Sequence, residues 1–535
     1  MAEAAGAAGA GDAAGSPPAA PRVAPAELAL LASVFVVAAC GLVYELAAGA
    51  LASWLLGDSV LQFSTIIGAY LFAMGIGSYL SRFVDRALVA TFLRVELLVG
   101  VIGGTLPALL FVMHNLLEVT PATSGPFRLL LYGLVLLVGA LVGLEIPLVM
   151  RILKAQFRQR WQLSQLVSQV LTFDYLGALA VAVAFPLVLL PQLGAIRTGT
   201  VFGLLNVAVA AWAMWLFRRQ LVQLRGHVLA CAAAAGMLLA VALGADRLTS
   251  WAEARFYGER IVHAASSPYQ RIVVTAGPSG QLRLFLNGNL QFDSRDEHRY
   301  HEALVHPAMA AHGAPRRVAI LGGGDGLALR EVLRYPSVEQ VWLVDLDAAI
   351  TQLFAREPRL RALNAQAFDS PRVRVVNTDA FTWLESHDEV FDVVIVDFPD
   401  PSNFSLGKLY TTSFYALLDR RLAASGYAAV QATSPLVARR SFWTVVATLE
   451  AVGLGTTPYH AYVPSFGEWG FVVASRRPWR LPERLPEGLR FLTLEGMTAL
   501  MHFPPDMARV AAEPNRLGNQ ALVRIFEEEW GRAQR

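Results

Sequence analysis

The sequence contains few cysteines and few charged residues. Its two cysteines, Cys40 and Cys231, both lie in apolar runs, so neither a disulfide framework nor a zinc site is expected. Charged residues make up 16% of the chain and hydrophobic residues 55%, which is too apolar for an ordinary soluble protein. The formal net charge of +2 gives no support for a nucleic-acid partner. The composition therefore indicates a protein that is partly embedded in a lipid bilayer.

The first half of the chain has the pattern of a multi-span membrane domain. Residues 1–26 are rich in Ala, Gly and Pro and predict a disordered tail, and the next apolar run is too long for a signal peptide. Over residues 27–245, apolar segments recur at about the 20-residue length that a bilayer requires. We predict about seven helices, at 28–50, 60–81, 92–113, 128–150, 173–192, 198–217 and 227–245.

Charges within this half bear on orientation and on a second site. The basic segments "SRFVDR", "MRILKAQFRQR" and "FRRQLVQLR" follow alternate spans and should face the cytoplasm. With seven spans, that rule places the second half of the chain outside. Four acids lie in or beside the spans, and either interfacial pairing or a polar cavity that admits a cation would explain them. They are Glu45, Glu96, Glu145 and Asp174.

The second half reads as a soluble α/β protein. Residues 246–262 form a linker, and 263–315 alternate like strands with tight turns at "GPSG" and "NGN". From 316 to 480 strands alternate with helices, which predicts a doubly wound, Rossmann-like parallel sheet. Residues 481–535 form a C-terminal extension.

A glycine loop, "LGGGDG" at 321–326, follows the first strand of that sheet. A glycine turn alone is weak evidence, but Asp345 and Asp347 end the next strand, where carboxylates bind ribose hydroxyls. Asp379 and Ala380 follow another strand at the same edge. Asp325 within the loop disfavours a pyrophosphate and suits a cationic ligand such as a sulfonium or an amine, although it could simply cap the following helix.

A second acidic motif, "DFPDP", follows a later buried strand. Its Asp397 and Asp400 could hold an amine, and one could act as a base. Tyr269, Gln270, Tyr300 and His301 supply ring faces and hydrogen-bonding groups that could enclose a nucleoside and an alkyl amine.

In order, "SPYQ", "LNGNLQFDSRDEHRYHE", "LGGGDG", "VDLD" and "DFPDP" resemble the spermidine synthase family of aminopropyltransferases, over about residues 255–475. The apolar half resembles a bacterial branch of that family. The resemblance implies transfer of an aminopropyl group from decarboxylated S-adenosylmethionine, as co-substrate, to a diamine, typically putrescine. No metal or other cofactor is implied. Products would be spermidine and methylthioadenosine.

The resemblance also implies roles for individual residues. Asp397 would be the base, and Tyr300, His301, Asp325 and Asp400 would line the amine site. The nucleoside would be bound by Gln270, Gly322, Gly324, Asp345, Asp379 and Ala380. Two departures concern the acceptor side: "SNFSLGKLY" replaces the usual Gly/Pro loop, and Tyr462 or Phe466 would substitute for a pocket tyrosine.

Two other functions stay open on the residues alone. One is a methyltransferase on the same sheet, which would have to accommodate the carboxylate of its donor. The other is a membrane sensor or transporter that binds polyamine or nucleoside without catalysis. The cytosolic origin of the donor favours a multi-pass protein of the cell membrane with a cytoplasmic catalytic domain. Related soluble enzymes suggest a homodimer by analogy.

Overall fold

The computed structural model describes residues 25–56, 59–117, 124–156 and 163–533. The predicted tail lies outside these residues except for Pro25 and Ala26, where the first helix begins. Seven helices form the first half of the chain: α1 (Pro25–Leu56), α2 (Ser59–Leu80), α3 (Leu88–Leu116), α4 (Ser124–Gln156), α5 (Leu163–Ala184), α6 (Leu190–Leu216) and α7 (Leu224–Tyr257).

Among the described residues, these seven α-helices form six helical segments that are long and apolar enough to cross a membrane. One of the six, Ser164–Leu216, has 53 residues and joins α5 and α6, which correspond to the predicted spans at 173–192 and 198–217. A π-helical turn, Phe185–Leu189, joins α5 to α6, and Gly194 leaves helical geometry with φ 72°. Thr198 Oγ1 donates to the carbonyl of Leu189 at 3.1 Å. Residues nine apart in a straight helix are about 13 Å apart, so the segment bends back at Gly194.

Glycine faces hold the helices together at close range. On α4, a Cβ at Gly143 would lie 2.1 Å from the carbonyl oxygen of Met74 on α2. On α3, a Cβ at Gly100 would lie 2.9 Å from the carbonyl oxygen of Gly203 on α6. Small residues let helix backbones approach closely where apolar surroundings provide no hydrophobic driving force. The bundle is therefore packed backbone against backbone along these two pairs.

The bundle has two chemically different ends. At one end, Arg151 near the end of α4 donates to the carbonyl of Ser81, directly after α2, at 2.8 Å. The described basic residues at this end include Arg82, Arg86 and Arg151, and we call it the basic end. At the other end, His114 of α3 packs at 6.0 Å from Phe256 of α7. Tyr257 then packs at 4.7 Å from Phe285 of the second half. The second half is thus attached at the end opposite the basic end.

A small antiparallel sheet follows α7 almost directly. The predicted linker, 246–262, contains the end of α7 and the start of the first strand, joined through Gly258 at φ 65°. The strands lie in chain order: β1 (Arg260–Ser266), β2 (Arg271–Ala276), β3 (Leu282–Leu286) and β4 (Asn289–Asp293).

The main sheet has seven strands in the order β10-β11-β9-β8-β5-β6-β7. Its strands are β5 (Arg317–Gly322), β6 (Gln340–Asp345), β7 (Val373–Asn377), β8 (Phe391–Asp397), β9 (Leu422–Gln431), β10 (Gly455–Val463) and β11 (Gly467–Ser475). β5 to β9 pair in parallel, and β10 and β11 add an antiparallel edge. The chain order reverses between β5 and β8, which is where open α/β sheets bind ligands.

Helices cover both faces of the main sheet. Val318 and Ile320 of β5 pack with the first helix of this half, whereas the alternating Ala319 and Leu321 pack on the opposite face. The helices are α8 (Glu297–His312), α9 (Leu327–Val332), α10 (Ala348–Arg356), α11 (Pro358–Leu363), α12 (Ala380–Ser386), α13 (Phe404–Gly407), α14 (Thr412–Arg421), α15 (Arg439–Ala451), α16 (Leu494–Leu500) and α17 (Ala521–Ala533).

The close contact of α2 and α4 predicts a specific sensitivity to a methyl group. Gly143→Ala should lower the melting temperature of the detergent-solubilised protein, at a cost of about 1–3 kcal/mol, because its Cβ meets a backbone oxygen. Gly133→Ala, on the same helix, has nothing within 4 Å of its Cβ and should leave the melting temperature unchanged or raise it. Equal melting temperatures for the two variants would contradict the described packing.

Candidate active site

The glycine loop is shaped by the ends of its neighbouring strands. Gly322 lies opposite Asp397 in the β5–β8 pairing, with φ 84°, and a Cβ there would be 2.1 Å from the Asp397 carbonyl oxygen. A Cβ at Gly324 would be 2.6 Å from Asp345 Oδ2, which accepts a hydrogen bond from the Gly324 N–H at 3.0 Å. Only glycine fits at Gly322, where the clash is with backbone, whereas a side chain at Gly324 would displace the Asp345 carboxylate; the two contacts bring three strand ends together.

Two acids at the end of β6 bind the backbone and the lead-in sheet. Asp345 accepts from Gly324 and from the Asp347 N–H, and burial raises its pKa to about 6. Asp347 caps α10 through the Ala349 N–H and accepts from Gln270 Nε2 at 2.9 Å. Gln270, predicted to bind the nucleoside, thus bonds to Asp347, and this carboxylate ties the edge of the main sheet to the segment before β2.

Asp379 and Ala380 lie where β7 passes into α12. Asp379 caps the helix by accepting from the Phe381 N–H at 2.8 Å, and its other oxygen pairs with Lys408. Burial alone would raise the pKa of Asp379, but Lys408 and the N–H groups outweigh it and lower the pKa. Ala380 is buried. Lys408 belongs to the "SNFSLGKLY" segment, and nothing in the sequence analysis linked it to Asp379.

His301 is held by charges that the sequence analysis did not identify. Its Nδ1 lies 2.9 Å from Glu297 Oε2, and Glu297 also accepts two hydrogen bonds from Arg330, at 3.0 and 2.9 Å. Burial would lower the pKa of His301, but Glu297 outweighs it and raises the pKa to about 9. The imidazole is therefore a fixed cation at neutral pH, and it interacts electrostatically with Asp325 and Asp397.

The sequence allowed two interpretations of Asp325, a residue that faces a cationic ligand and a cap of the following helix, and the structure bears on both. Its Oδ1 accepts from the Leu327 N–H at 2.9 Å, as a residue that caps α9 would. Burial raises its pKa, whereas His301 acts in the opposite direction. The carboxyl group thus has a structural partner and also belongs to the charged group around His301 and Asp397.

Asp397 ends β8 in the centre of this edge. Its Oδ1 accepts a hydrogen bond from the Tyr300 hydroxyl at 2.7 Å. Burial and the nearby Asp325 raise its pKa to about 6, against the lowering effects of His301 and Tyr300. The pKa of Tyr300 is raised well above its usual value by burial and by Asp397. Asp397 is therefore a stronger base than an exposed aspartate, with a neutral phenol fixed beside it.

Asp400 is linked through Thr433 to the C-terminal helix α17. Thr433 Oγ1 donates to Asp400 Oδ2 at 3.1 Å, and burial raises the pKa of Asp400 to about 7. Trp530 of α17 donates its indole N–H to Thr433 Oγ1 at 3.3 Å. An indole N–H can only donate, so the single hydroxyl hydrogen of Thr433 is directed at the carboxylate. The C-terminal extension thus orients one side of the site.

Of the two proposed substitutes for the pocket tyrosine, only Phe466 lies by the site. Its ring centroid is 6.0 Å from that of Tyr300 and 5.2 Å from that of Trp469. Tyr462 is 53% exposed, and its carbonyl accepts from Arg299. Trp469 was not predicted; its indole N–H donates to Gln431, which also bonds to Asp400 at 3.5 Å. Phe466 and Trp469 thus lie beside Tyr300 and Gln431, next to the two acids of "DFPDP".

The site can be described by its chemistry. One edge of the sheet gathers three carboxyl groups whose pKa is raised by burial, Asp325, Asp397 and Asp400, beside one fixed imidazolium and two aromatic walls. Such an arrangement can bind an amine and remove a proton from it. Asp345, Asp347 and Asp379 lie along the neighbouring strand ends, where a nucleoside would bind.

Comparison with known proteins identifies the family of the chain. The family described as spermine/spermidine synthase domain matches residues 297–480. Polyamine aminopropyltransferase 2 of Ralstonia nicotianae is 57% identical over 511 residues, covering 94% of this chain and 98% of its own. The polyamine aminopropyltransferase of Leptospira interrogans is 48% identical and covers 95% and 99%. A crystal structure of spermidine synthase from Thermotoga maritima aligns with 51% of this chain and 88% of its own, at 25% identity and a TM-score of 0.42.

The chain belongs to the polyamine aminopropyltransferase (spermidine synthase) family. The relatives match both halves of it, the apolar bundle as well as the catalytic domain. It is an enzyme of this class, with a doubly wound α/β domain behind a helical region.

The hydrogen bond from Tyr300 predicts a shift in pH dependence. The base must be unprotonated, so kcat/KM should fall about tenfold per pH unit below the pKa that controls it. Tyr300→Phe removes a donor that lowers the pKa of Asp397, so the acid limb of the profile should move up by about one pH unit. Tyr415→Phe removes a buried hydroxyl that has no hydrogen-bond partner among the described residues and should leave the limb in place. An unmoved limb in Tyr300→Phe would rule out this coupling.

Proposed function

We propose that the enzyme transfers an aminopropyl group from decarboxylated S-adenosylmethionine to the diamine putrescine, giving spermidine and methylthioadenosine. Family membership supports the reaction class. The observation that supports this reaction most directly is Asp397, a buried carboxyl group at the switch point of the sheet whose pKa is raised to about 6. We propose that no cofactor takes part, because a sulfonium is already a good leaving group.

In the proposed mechanism Asp397 accepts the proton of the attacking amine. A free alkylammonium has a pKa near ~10 and an exposed aspartic acid near ~4, so an exposed Asp would be a poor base for it. Burial raises the pKa of Asp397 and lowers that of a bound amine, which narrows the gap. The nitrogen then attacks the carbon next to the sulfonium, the C–S bond breaks, and methylthioadenosine leaves with the electron pair. Alignment of the nitrogen supplies much of the rate.

Other residues would hold the substrates. Asp400, fixed by Thr433, would bind the distal ammonium of the diamine, and Asp325 and Tyr300 would complete the amine site. His301 would act through these acids, since its positive charge keeps nearby carboxylates ionised and disfavours direct contact with a cation. The nucleoside would contact the strand-end residues Gln270, Gly322, Gly324, Asp345, Asp379 and Ala380.

The two other functions receive less support. A methyltransferase would need to place the carboxylate of S-adenosylmethionine near Asp325 and Asp397, where like charges repel it. A sensor or transporter without catalysis would need an amine site but no base with a raised pKa, and the relatives are named as transferases. The homodimer expected from related soluble enzymes stays a prediction.

The reaction can be tested directly. Purified protein incubated with decarboxylated S-adenosylmethionine and putrescine should release methylthioadenosine, measured by chromatography, and Asp397→Asn should reduce kcat at least about 100-fold. Cadaverine, spermidine and no amine serve as comparisons for acceptor choice. Release that is equally fast without amine, or unaffected by Asp397→Asn, would contradict the proposed mechanism.

We also propose that the bundle crosses the cell membrane with its basic end in the cytoplasm. The attachment of the catalytic domain at the opposite end supports a catalytic domain on the outer face. This orientation differs from the cytoplasmic one that the cytosolic origin of the donor suggested. It follows from the path of the helices: α7 ends beside α3, and both ends are remote from Arg151.

Cysteine labelling measures the orientation. Both native cysteines are buried, so a single new cysteine can be followed with a membrane-impermeant maleimide. In intact cells we expect labelling of Ser279→Cys, in an exposed turn of the small sheet. Arg86→Cys, exposed at the basic end, should be labelled only after permeabilisation. The reverse pattern would place the catalytic domain in the cytoplasm.

A further inference from the structure

Several polar side chains lie at one level inside the apolar bundle. Counted from the basic end of their helices, they are eight to eleven residues in, which is about 12–17 Å along the helix axis. That depth lies within the hydrocarbon core, which is about 30 Å thick. We call this set the polar layer; it consists of Tyr70 on α2, Glu96 on α3, Glu145 on α4, Asp174 on α5 and Asn206 on α6, with Tyr44 bonded to it from α1.

A relay of hydrogen bonds fixes part of the polar layer. The Tyr44 hydroxyl donates to Asn206 Oδ1 at 2.6 Å, and Asn206 Nδ2 donates to Glu96 Oε2 at 2.8 Å. These bonds orient the amide so that its NH₂ group faces Glu96. They satisfy only one oxygen of that carboxyl group: Glu96 Oε1 is buried and has no hydrogen-bond partner among the described residues.

Glu145 has even fewer partners. It is 1% exposed, and within the described part of the chain both of its carboxyl oxygens are buried without a hydrogen bond. It is close enough to Glu96 and Asp174 to interact with them electrostatically, and both interactions are repulsive when the groups are charged. A buried carboxyl group without a hydrogen-bond partner is unfavourable, and more so if it is ionised, so a ligand that donates hydrogen bonds to Glu145 would be stabilised here.

Among the described residues, neither Glu96 nor Glu145 forms an ion pair with a basic side chain. Arg151 pairs with Asp85 and Arg197 with Asp246, near the ends of their helices. Nor do the described residues contain a group of three or more His, Cys, Asp and Glu side chains that could hold a metal ion. The missing positive charge is therefore expected from a ligand that brings its own hydrogen-bond donors.

We propose that the polar layer is a second amine site, in which Glu96 and Glu145 bind the ammonium groups of a polyamine. Two unsatisfied carboxyl groups at one level suit an extended cation with several N–H donors, and the rings of Tyr44 and Tyr70 favour a cation nearby. The choice of a polyamine rests on the proposed function of the catalytic domain. The site itself rests on the bundle alone.

Binding of radiolabelled spermidine to the full chain in neutral-lipid nanodiscs tests this proposal. The wild type should bind two equivalents, one at each site. Asp397→Asn with Asp400→Asn should remove the catalytic amine site and leave one. Glu145→Gln should weaken the remaining binding at least tenfold and leave methylthioadenosine release intact. Asp246→Asn, which removes a bundle carboxylate outside the polar layer, should change neither measurement.

A melting curve and gel filtration check that Glu145→Gln is folded. If Glu145→Gln is not folded, Glu96→Gln is tested instead, because the amide oxygen that this substitution introduces can still accept a hydrogen bond from Asn206. Spermidine binding that is lost with Asp397 and Asp400, or that is unchanged by the substitutions at Glu145 and Glu96, would overturn the proposal. A chain that binds spermidine through Glu145 but releases no methylthioadenosine would refute the proposed reaction and leave the second site standing.

Discussion

The contact between Gly322 and the carbonyl of Asp397 is the constraint on which the catalytic edge depends. The two residues are partners in the β5–β8 pairing, and a single methyl group at Gly322 would overlap the carbonyl oxygen. Because the backbones meet, the glycine loop lies directly against the residue proposed as base. Every other side chain of the site is positioned relative to this pair: Tyr300 and His301 from α8, Asp400 from the following turn, and Asp345 from β6.

The carboxyl groups around this contact differ in pKa, from the lowered value of Glu297 to the raised value of Asp400. Glu297 has a pKa lowered to about 2 despite burial, because His301 and Arg330 bond to it, so it stays ionised and fixes the imidazolium. The imidazolium in turn limits how far burial raises the pKa of Asp397 and Asp325. Asp400 has no such cation and reaches about 7. The carboxyl groups of this one site thus differ in pKa because their neighbours differ.

The features of the site that depend on local sequence could be predicted. Strand, glycine loop and strand-end acids are local in the chain, and parallel strands bring their carboxyl ends to one edge, so Asp345, Asp379, Asp397 and Asp400 could be placed together from the sequence. Hydrogen-bond and ion-pair partners supplied by distant segments could not be predicted. Trp530, Lys408 and Arg330 reach the site through tertiary packing, and nothing in their own segments marks them. For the same reason the hydrogen bond from Gln270 to Asp347 was not predicted.

In the helical half, hydropathy gives the position of each apolar segment but not how the chain turns between segments. Hydropathy located every apolar segment, but it treats a proline or glycine inside a run only as a break between spans. The structure continues α5 through a π-helical turn at Phe185–Leu189 and bends back at Gly194, which lies between the two predicted spans. Whether a chain turns at such a point depends on what the two arms pack against, which a window of hydropathy does not contain.

The direct passage from α7 into β1 has a mechanical consequence. Only Gly258 and Glu259 separate the two elements, and the junction is clamped by Arg271 bonding to Glu253 and by Tyr257 against Phe285. α7 has 34 residues and is about 50 Å long, so a change in tilt of about 5° about its basic end moves the other end by about 4 Å. In the proposed transmembrane arrangement, helix tilt responds to bilayer thickness, so the lipid composition would set the inclination of the catalytic domain relative to the membrane surface.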